Sequence, residues 1–438
     1  MSEFIRKVMD FLGRDKGSDG FLPSDSPSCL CGIYGTKEEI EEAEENCKKA
    51  LDVNPGHADS YLCMGRILLA QGAFGAAEEK LLKAVELNPD YIDALFCLGE
   101  LYVKRKKVKE AEEALKKVVE KKPDYTGAHI LLGRLYFVAE RFSEAVSAYK
   151  RAIGLKPQYA DSHFGLGGVY VNMGRFSEAE AEHKKALRIN PDYVDARIGL
   201  AWIHYFMGRL KEAEKEFIAA VALKPGEAEI YSGLGWVYYR QGMLDEAETE
   251  FLKAQQILGK NHEAHAGLGW TYYRMFIKGQ IEIGAAEKEF TEAIKINPNI
   301  ADAHIGLGWA NYHKDNLEAA EKEFLKAVEI NPDFAEIHIG LGWAYYRWVS
   351  YNKERINDAE REFDLAISMD SQNPDAHVGK GWVHYRQARY VEAEKAFRKA
   401  LSLKKDYGDA FIGLGCVYEK KGDKKRAEAE YKKARKLN

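Results

Sequence analysis

Proline is scarce in this chain, at 11 of 438 residues, which excludes a collagen-like or Pro-rich disordered polymer. No apolar run approaches the roughly 18 residues that a membrane span needs. No signal-peptide core is expected at the start, because Arg6, Lys7 and Asp10 interrupt the first apolar residues. There is no basic excess: 64 Lys and Arg stand against 69 Asp and Glu, for a net charge of −5. That balance weighs against a general nucleic-acid binder. The six cysteines are Cys29, Cys31, Cys47, Cys63, Cys97 and Cys416, without the framework of a small secreted fold. Reduced thiols in a cytoplasm are the simplest reading. Cys29-Leu30-Cys31 lacks the two further ligands a structural metal site wants. No phosphate-loop, HExxH or GxSxG motif is present, and Gly165-Leu166-Gly167 falls inside a helical pattern with no strand before it. No catalytic residue, metal or cofactor is therefore expected.

What the chain does contain is a period. Prolines stand at 55, 89, 123, 157, 191 and 225, each 34 residues after the last. Ten residues after each comes a small residue: Gly65, Gly99, Gly133, Gly167, Ala201 and Gly235. The series continues at Gly269, Gly308, Gly342, Gly381 and Gly415, with two steps of 39 residues. Eleven full units start near Ala58, with half a unit before them. At 438 residues the chain exceeds the roughly 250–300 residues that one core supports, and a repeat array removes that limit.

Each unit reads as two helices. In residues 228–257, Leu234 and Tyr238 share one face, and after Gln241-Gly242 the apolar set Ala247, Phe251 and Ala254 recurs at helical spacing. Small residues let the helix axes approach, and Phe251 fills the gap. The C-terminal stretch Lys421–Asn438 is highly polar, as a capping helix should be.

These units resemble the tetratricopeptide family, whose motif runs W-x2-L-G-x2-Y, then A-x3-F, then P. The L-G-x2-Y element appears as Leu132-Gly133 with Tyr136, Leu166-Gly167 with Tyr170, Leu234-Gly235 with Tyr238 and Leu341-Gly342 with Tyr345. The A-x3-F element appears as Ala213/Phe217, Ala247/Phe251, Ala286/Phe290, Ala320/Phe324, Ala359/Phe363 and Ala393/Phe397. His129, His163, His265, His304, His338 or His377 replaces the motif's Trp, and Leu68, His204, Asn311 and His384 replace its Tyr. The resemblance covers about residues 36–438. It implies an all-α, right-handed α-solenoid of about eleven and a half hairpins, with the first helices lining the concave side. Residues 1–35 are expected to form a short amphipathic helix (Phe4, Ile5, Val8, Met9, Phe11, Leu12) and a flexible linker, acting as a cap or a docking arm. The two long units carry their extra residues around Met275–Gly284 and Trp348–Ile356.

On the expected concave side the chain carries an aromatic column. It reads Trp202/Tyr205, Trp236/Tyr239, Trp270/Tyr273, Trp309/Tyr312, Trp343/Tyr346 and Trp382/Tyr385, with Arg240, Arg274, His313, Arg347 and Arg386 beside it. Aromatic anchors dominate many protein interfaces. The expected function is accordingly a non-enzymatic scaffold that binds a peptide or protein in an aromatic-lined groove, with self-assembly as a further route. The alternative is binding of a polysaccharide or single-stranded nucleic acid by stacking. A structural reading stands beside both: each Trp lies across the bare glycine of a neighbouring unit (Gly199, Gly233, Gly267, Gly306, Gly340, Gly379), and the arginines pair with Glu229, Glu263, Asp302, Glu336 and Asp375. One histidine per unit cannot converge on a metal, so the His column is expected to pack.

Overall fold

The repeat length fixes the elements: about thirteen residues, a tight turn, about fourteen more, then a polar turn. The computed structural model describes residues 37–437, apart from residue 351. The expected arm and linker at residues 1–35 lie outside them. The described residues hold 23 helices and no strand. They form two compact units, 37–224 and 225–437.

The first unit opens with a lone second helix, α1 (Lys37–Val53). Five hairpins follow: α2/α3 (Ala58–Ala70, Phe74–Leu87), α4/α5 (Ile92–Lys104, Val108–Lys121), α6/α7 (Thr126–Val138, Phe142–Leu155), α8/α9 (Ala160–Asn172, Phe176–Ile189) and α10/α11 (Val194–Phe206, Leu210–Leu223). The second unit holds six: α12/α13 (Ala228–Gln241, Leu244–Ile257), α14/α15 (His262–Ile277, Gly284–Ile296), α16/α17 (Ala301–His313, Leu317–Ile330), α18/α19 (Ala335–Trp348, Arg355–Met369), α20/α21 (Pro374–Arg386, Tyr390–Leu403) and α22/α23 (Gly408–Lys420, Lys424–Arg435). Within each unit every helix packs on the next, and successive first helices also touch. This is the all-α solenoid the spacing predicts.

Ten of the eleven hairpin turns, all but that of α18/α19, are closed in one way. A residue in the left-handed region follows the first helix, and the next N–H returns to the carbonyl five residues earlier. Arg175 N donates to Tyr170 O at 2.8 Å and Met243 N to Tyr238 O at 3.0 Å. Gly174 and Gly242 hold the left-handed position there, but Lys106, Glu140, Asp315 and Ala388 adopt it without being glycine, at φ 56–62°. The extra residues of the two long units are taken up differently. The first extends α14 to Ile277 before a connection at 278–283; the second lengthens the connection before α19.

From α12 to α21 the core is built around one ring per hairpin. Phe251, Phe290, Phe324, Phe363 and Phe397 are fully buried. Each ring lies between two glycines, one on its own first helix and one on the next. A Cβ built on Gly235 would fall 2.8 Å from Phe251 Cε1, and one on Gly267 would fall 2.3 Å from the same atom. The aromatic residue lying on the glycine column is therefore the Phe of the preceding second helix, not the Trp that the structural reading placed there. The Trp of each hairpin meets that Phe edge-on.

Candidate functional site: the aromatic ladder

The ladder starts from the residue after each small residue of the column, Ala201 in the first case and glycine in the other five. In every pair Trp and Tyr are three residues apart on one helix, so their rings meet over a single turn. The six pairs share one geometry, with centroids 5.4–5.7 Å apart and planes at 82–86°. Each Trp also meets the buried Phe of its own hairpin edge-on, at 5.1–5.5 Å and 75–85°. Such T-shaped contacts set the positive ring edge against the negative ring face.

Burial differs along the ladder. Trp202 and Tyr205 are 4% and 7% exposed, so they offer little ring surface. Phe206 stacks on Trp202 at 6.3 Å and meets Tyr205 at 5.6 Å, at the position where later hairpins carry a basic residue. Trp236, Tyr239, Trp270, Tyr273, Trp309, Tyr312, Trp343, Tyr346, Trp382 and Tyr385 are half-buried. Burial holds the phenols of Tyr239, Tyr273, Tyr312, Tyr346 and Tyr385 above their ordinary pKa, so they stay neutral near pH 7.

Arg274, Arg347 and Arg386 do not pair with the acids expected from sequence. Each lies over the Tyr of the preceding hairpin, 4.8, 5.0 and 4.8 Å from the centroids of Tyr239, Tyr312 and Tyr346. Each also donates from Nη1 to that tyrosine's carbonyl, at 2.6, 2.8 and 2.9 Å. Those carbonyls lie in the last turn of a first helix, where the helix dipole favours a cation; the Tyr239 and Tyr312 oxygens also accept the turn N–H of Gly242 and Asp315. Arg240 is exposed. His313 takes the same place without a fixed charge: its Nε2 is 3.0 Å from Tyr273 Oη. Burial, then the nearby Arg347 charge, lowers its pKa.

The histidine column does pack, as expected, and its partners explain the residue type. His304 Nε2 lies 3.0 Å from Pro298 O and its Nδ1 2.7 Å from Glu323 Oε2. His163 and His338 make the same two contacts, with Pro157 and Glu182, and with Pro332 and Glu362. Each imidazole thus ties the turn before its helix to the following helix. Among the described residues, no group of three or more His, Cys, Asp or Glu is arranged to hold a metal ion. Among them, too, no helix is long and apolar enough to cross a membrane.

One set of contacts escaped sequence reasoning. Family tyrosines reach back 24 residues to a glutamate on the preceding second helix: Tyr272 to Glu248 at 2.8 Å, Tyr345 to Glu321 at 2.9 Å, Tyr418 to Glu394 at 2.8 Å. Basic residues before the next second helix join the same carboxylates, as Arg141 does with Glu112 at 2.7 Å and Lys421 with Glu394 at 2.8 Å. The signal was present as a Tyr–Glu spacing of 24, but only the packed hairpins reveal its use.

Tetratricopeptide repeat models match residues 34–92, 68–135, 174–222, 228–261, 282–334, 349–410 and 408–438, and a TPR repeat model matches 133–174. The chain belongs to the tetratricopeptide repeat family. This TPR protein is similar in fold to a chain of the APC/C hetero-tetramer Cut9-Hcn1, at 14% identity and a TM-score of 0.53, over 92% of this chain and 91% of that one. It is also similar to human IFIT1 in its dimer with m7Gppp-AAAA, at 18% identity and a TM-score of 0.50, over 92% and 95%. At these identities the likeness shows the fold alone. No curated protein matches the chain in sequence.

Proposed function

We propose that this TPR protein is a non-enzymatic interaction scaffold that holds a peptide segment of a protein partner against the Trp–Tyr ladder of residues 236–385. The observation that carries the reading is the repeated rigid geometry. Five half-buried Trp–Tyr pairs stand on successive first helices, each wedged on a fully buried Phe. Rings held in one rotamer before binding lose little entropy when a partner arrives, which favours affinity. Trp202 and Tyr205 belong to the ladder's framework rather than to its contact surface, given their burial.

Stacking of a single-stranded nucleic acid is the weaker reading. It needs open ring faces and available cations. Arg274, Arg347 and Arg386 already cover Tyr faces and cap carbonyls, and the chain's net charge is −5. The ligand named for human IFIT1 is a property of that protein. Cysteines read as reduced thiols fit a cytoplasmic location, which forms part of the same proposal.

The test is selection from a displayed peptide library on the full chain, with Trp fluorescence as the binding signal. Six of the seven tryptophans lie in the ladder, so occupancy should shift the emission. The W270A/W309A/W343A variant is expected to keep its helical circular dichroism and lose at least about tenfold in affinity, or about 1.4 kcal/mol. Full affinity in a folded triple variant sinks the proposal. So does the absence of any selected peptide alongside tight binding of oligouridine or an oligosaccharide.

A further inference from the structure

Two cysteines occupy a junction where most of the array places one large side chain and one absent side chain. The ring position of each second helix faces the residue sixteen positions later, on the first helix of the next hairpin. Tyr149 meets Gly165, Phe251 meets Gly267, Phe290 meets Gly306, Phe324 meets Gly340, Phe363 meets Gly379 and Phe397 meets Gly413. In all six, a Cβ built on the glycine falls 2.1–2.5 Å from the ring, closer than real Cβ contacts come. Side chains at the two positions therefore point into one shared hole. Where the later residue is not glycine, the earlier one is smaller than a ring: Leu81 with Cys97 sixteen positions on, and Leu115 with Leu131, all four buried.

At the first junction, between α1 and α2, both positions are cysteine: Cys47 and Cys63. Helix α1 is in register, because Ala43 and Ala50 flank Cys47 at the spacing with which Ala247 and Ala254 flank Phe251. Cys47 and Cys63 are both half-buried.

We propose that Cys47 and Cys63 form a redox-sensitive dithiol that closes to a disulfide and bolts α1 onto α2. With hydrogen peroxide as oxidant the chemistry balances. One thiolate attacks a peroxide oxygen, the O–O bond breaks, and a sulfenic acid and one water result. The second thiolate attacks that sulfur, the S–S bond forms, and the displaced hydroxide leaves as a second water. Two thiols and one peroxide thus give one disulfide and two waters. The bond would join the lone helix α1 to the hairpin that follows it.

The experiment exposes the full chain to one equivalent of hydrogen peroxide under native conditions, quenches with an alkylating reagent and maps tryptic peptides without reduction. Lys48 and Lys49 place the two cysteines on different peptides. The expected product is a dominant Cys47–Cys63 cross-link, reversed by dithiothreitol, with a raised melting temperature in the oxidised form. C47S and C63S should each lose the cross-link and the shift. A C29S/C31S/C97S/C416S chain, with only the two cysteines left, should keep both. Cys31, outside the described residues, stands sixteen positions before Cys47 and is the natural competitor. A dominant Cys31–Cys47 linkage, or full alkylation of Cys47 and Cys63 after peroxide, overturns the proposal.

Discussion

The guanidinium of Arg347 lies 5.0 Å over the ring of Tyr312 and donates Nη1–H to the Tyr312 carbonyl at 2.8 Å. One side chain thereby caps a helix, covers a ring and joins two hairpins. Its Nε also pairs with Asp315 at 3.0 Å, but that pair is exposed and adds little. Arg347→Ala is expected to destabilise the array by about 1–2 kcal/mol, from a lost charged hydrogen bond and a lost cation–π contact. Arg347→Lys should recover less than half, since an ammonium cannot both lie flat and reach the carbonyl. Urea unfolding followed by circular dichroism measures both, and a neutral Ala variant would remove the staple from the account.

The glycine columns predict steric coupling. Gly340→Ala would put a Cβ 2.5 Å from Phe324 Cε1 and should cost about 1–3 kcal/mol. Phe324→Leu recreates the smaller side chain found at Leu81. The F324L/G340A double variant should therefore be more stable than the sum of its singles allows, by about 1 kcal/mol. Additive costs in a denaturation cycle would contradict the shared hole.

Ala388 sits at φ 58° in the turn after α20, where other hairpins carry glycine. A left-handed residue with a Cβ is strained by roughly 1–2 kcal/mol. Ala388→Gly should stabilise the chain by about 0.5–1 kcal/mol, the remainder going to the freer unfolded state. Gly242→Ala, at φ 82°, should destabilise by a similar amount. Thermal melts of the two variants should move in opposite directions.

His338 has acceptors at both ring nitrogens, so only the imidazolium donates to both. The Glu362 hydrogen bond raises its pKa above the ordinary 6.5; burial opposes this, and the Glu362 charge and Pro332 carbonyl add to it. A raised value means the contribution is complete below 6.5 and is lost as pH rises through the folded pKa. Stability should therefore fall between pH 6 and pH 8 more in the native chain than in Glu362→Gln. An NMR titration of His338 that moves below its unfolded value would reverse the sign and refute this reading.

Glu112 is the opposite case. Hydrogen bonds from Arg141 and Lys116 hold its pKa down at about 2, against burial. Its contribution is present above the ordinary 4.5 and is lost as pH falls toward 2. Glu112→Gln should flatten the acid limb of a stability–pH curve and leave the limb above pH 6 unchanged.

Much of this protein was legible before any coordinate. The 34-residue step and the Gly and Phe columns depend on local periodicity, and local periodicity survives in sequence. The aromatic ladder was visible for the same reason. Its partners were not. That Arg386 would choose the Tyr346 carbonyl over an acid such as Asp375 depends on where a flexible side chain ends after two hairpins have docked. The histidine column was read as packing, but its bridge from a proline turn to a glutamate needed the fold.

The order of residues alone determined how many hairpins there are, where each turns and which positions face inward, because each is settled within one or two helical turns. Tertiary structure alone decided which ring lies on which glycine, which cation covers which tyrosine, and why Trp202 is buried while Trp309 is half open. Those outcomes depend on contacts between residues 16 to 40 positions apart. Such contacts exist only once neighbouring hairpins compete for the same volume.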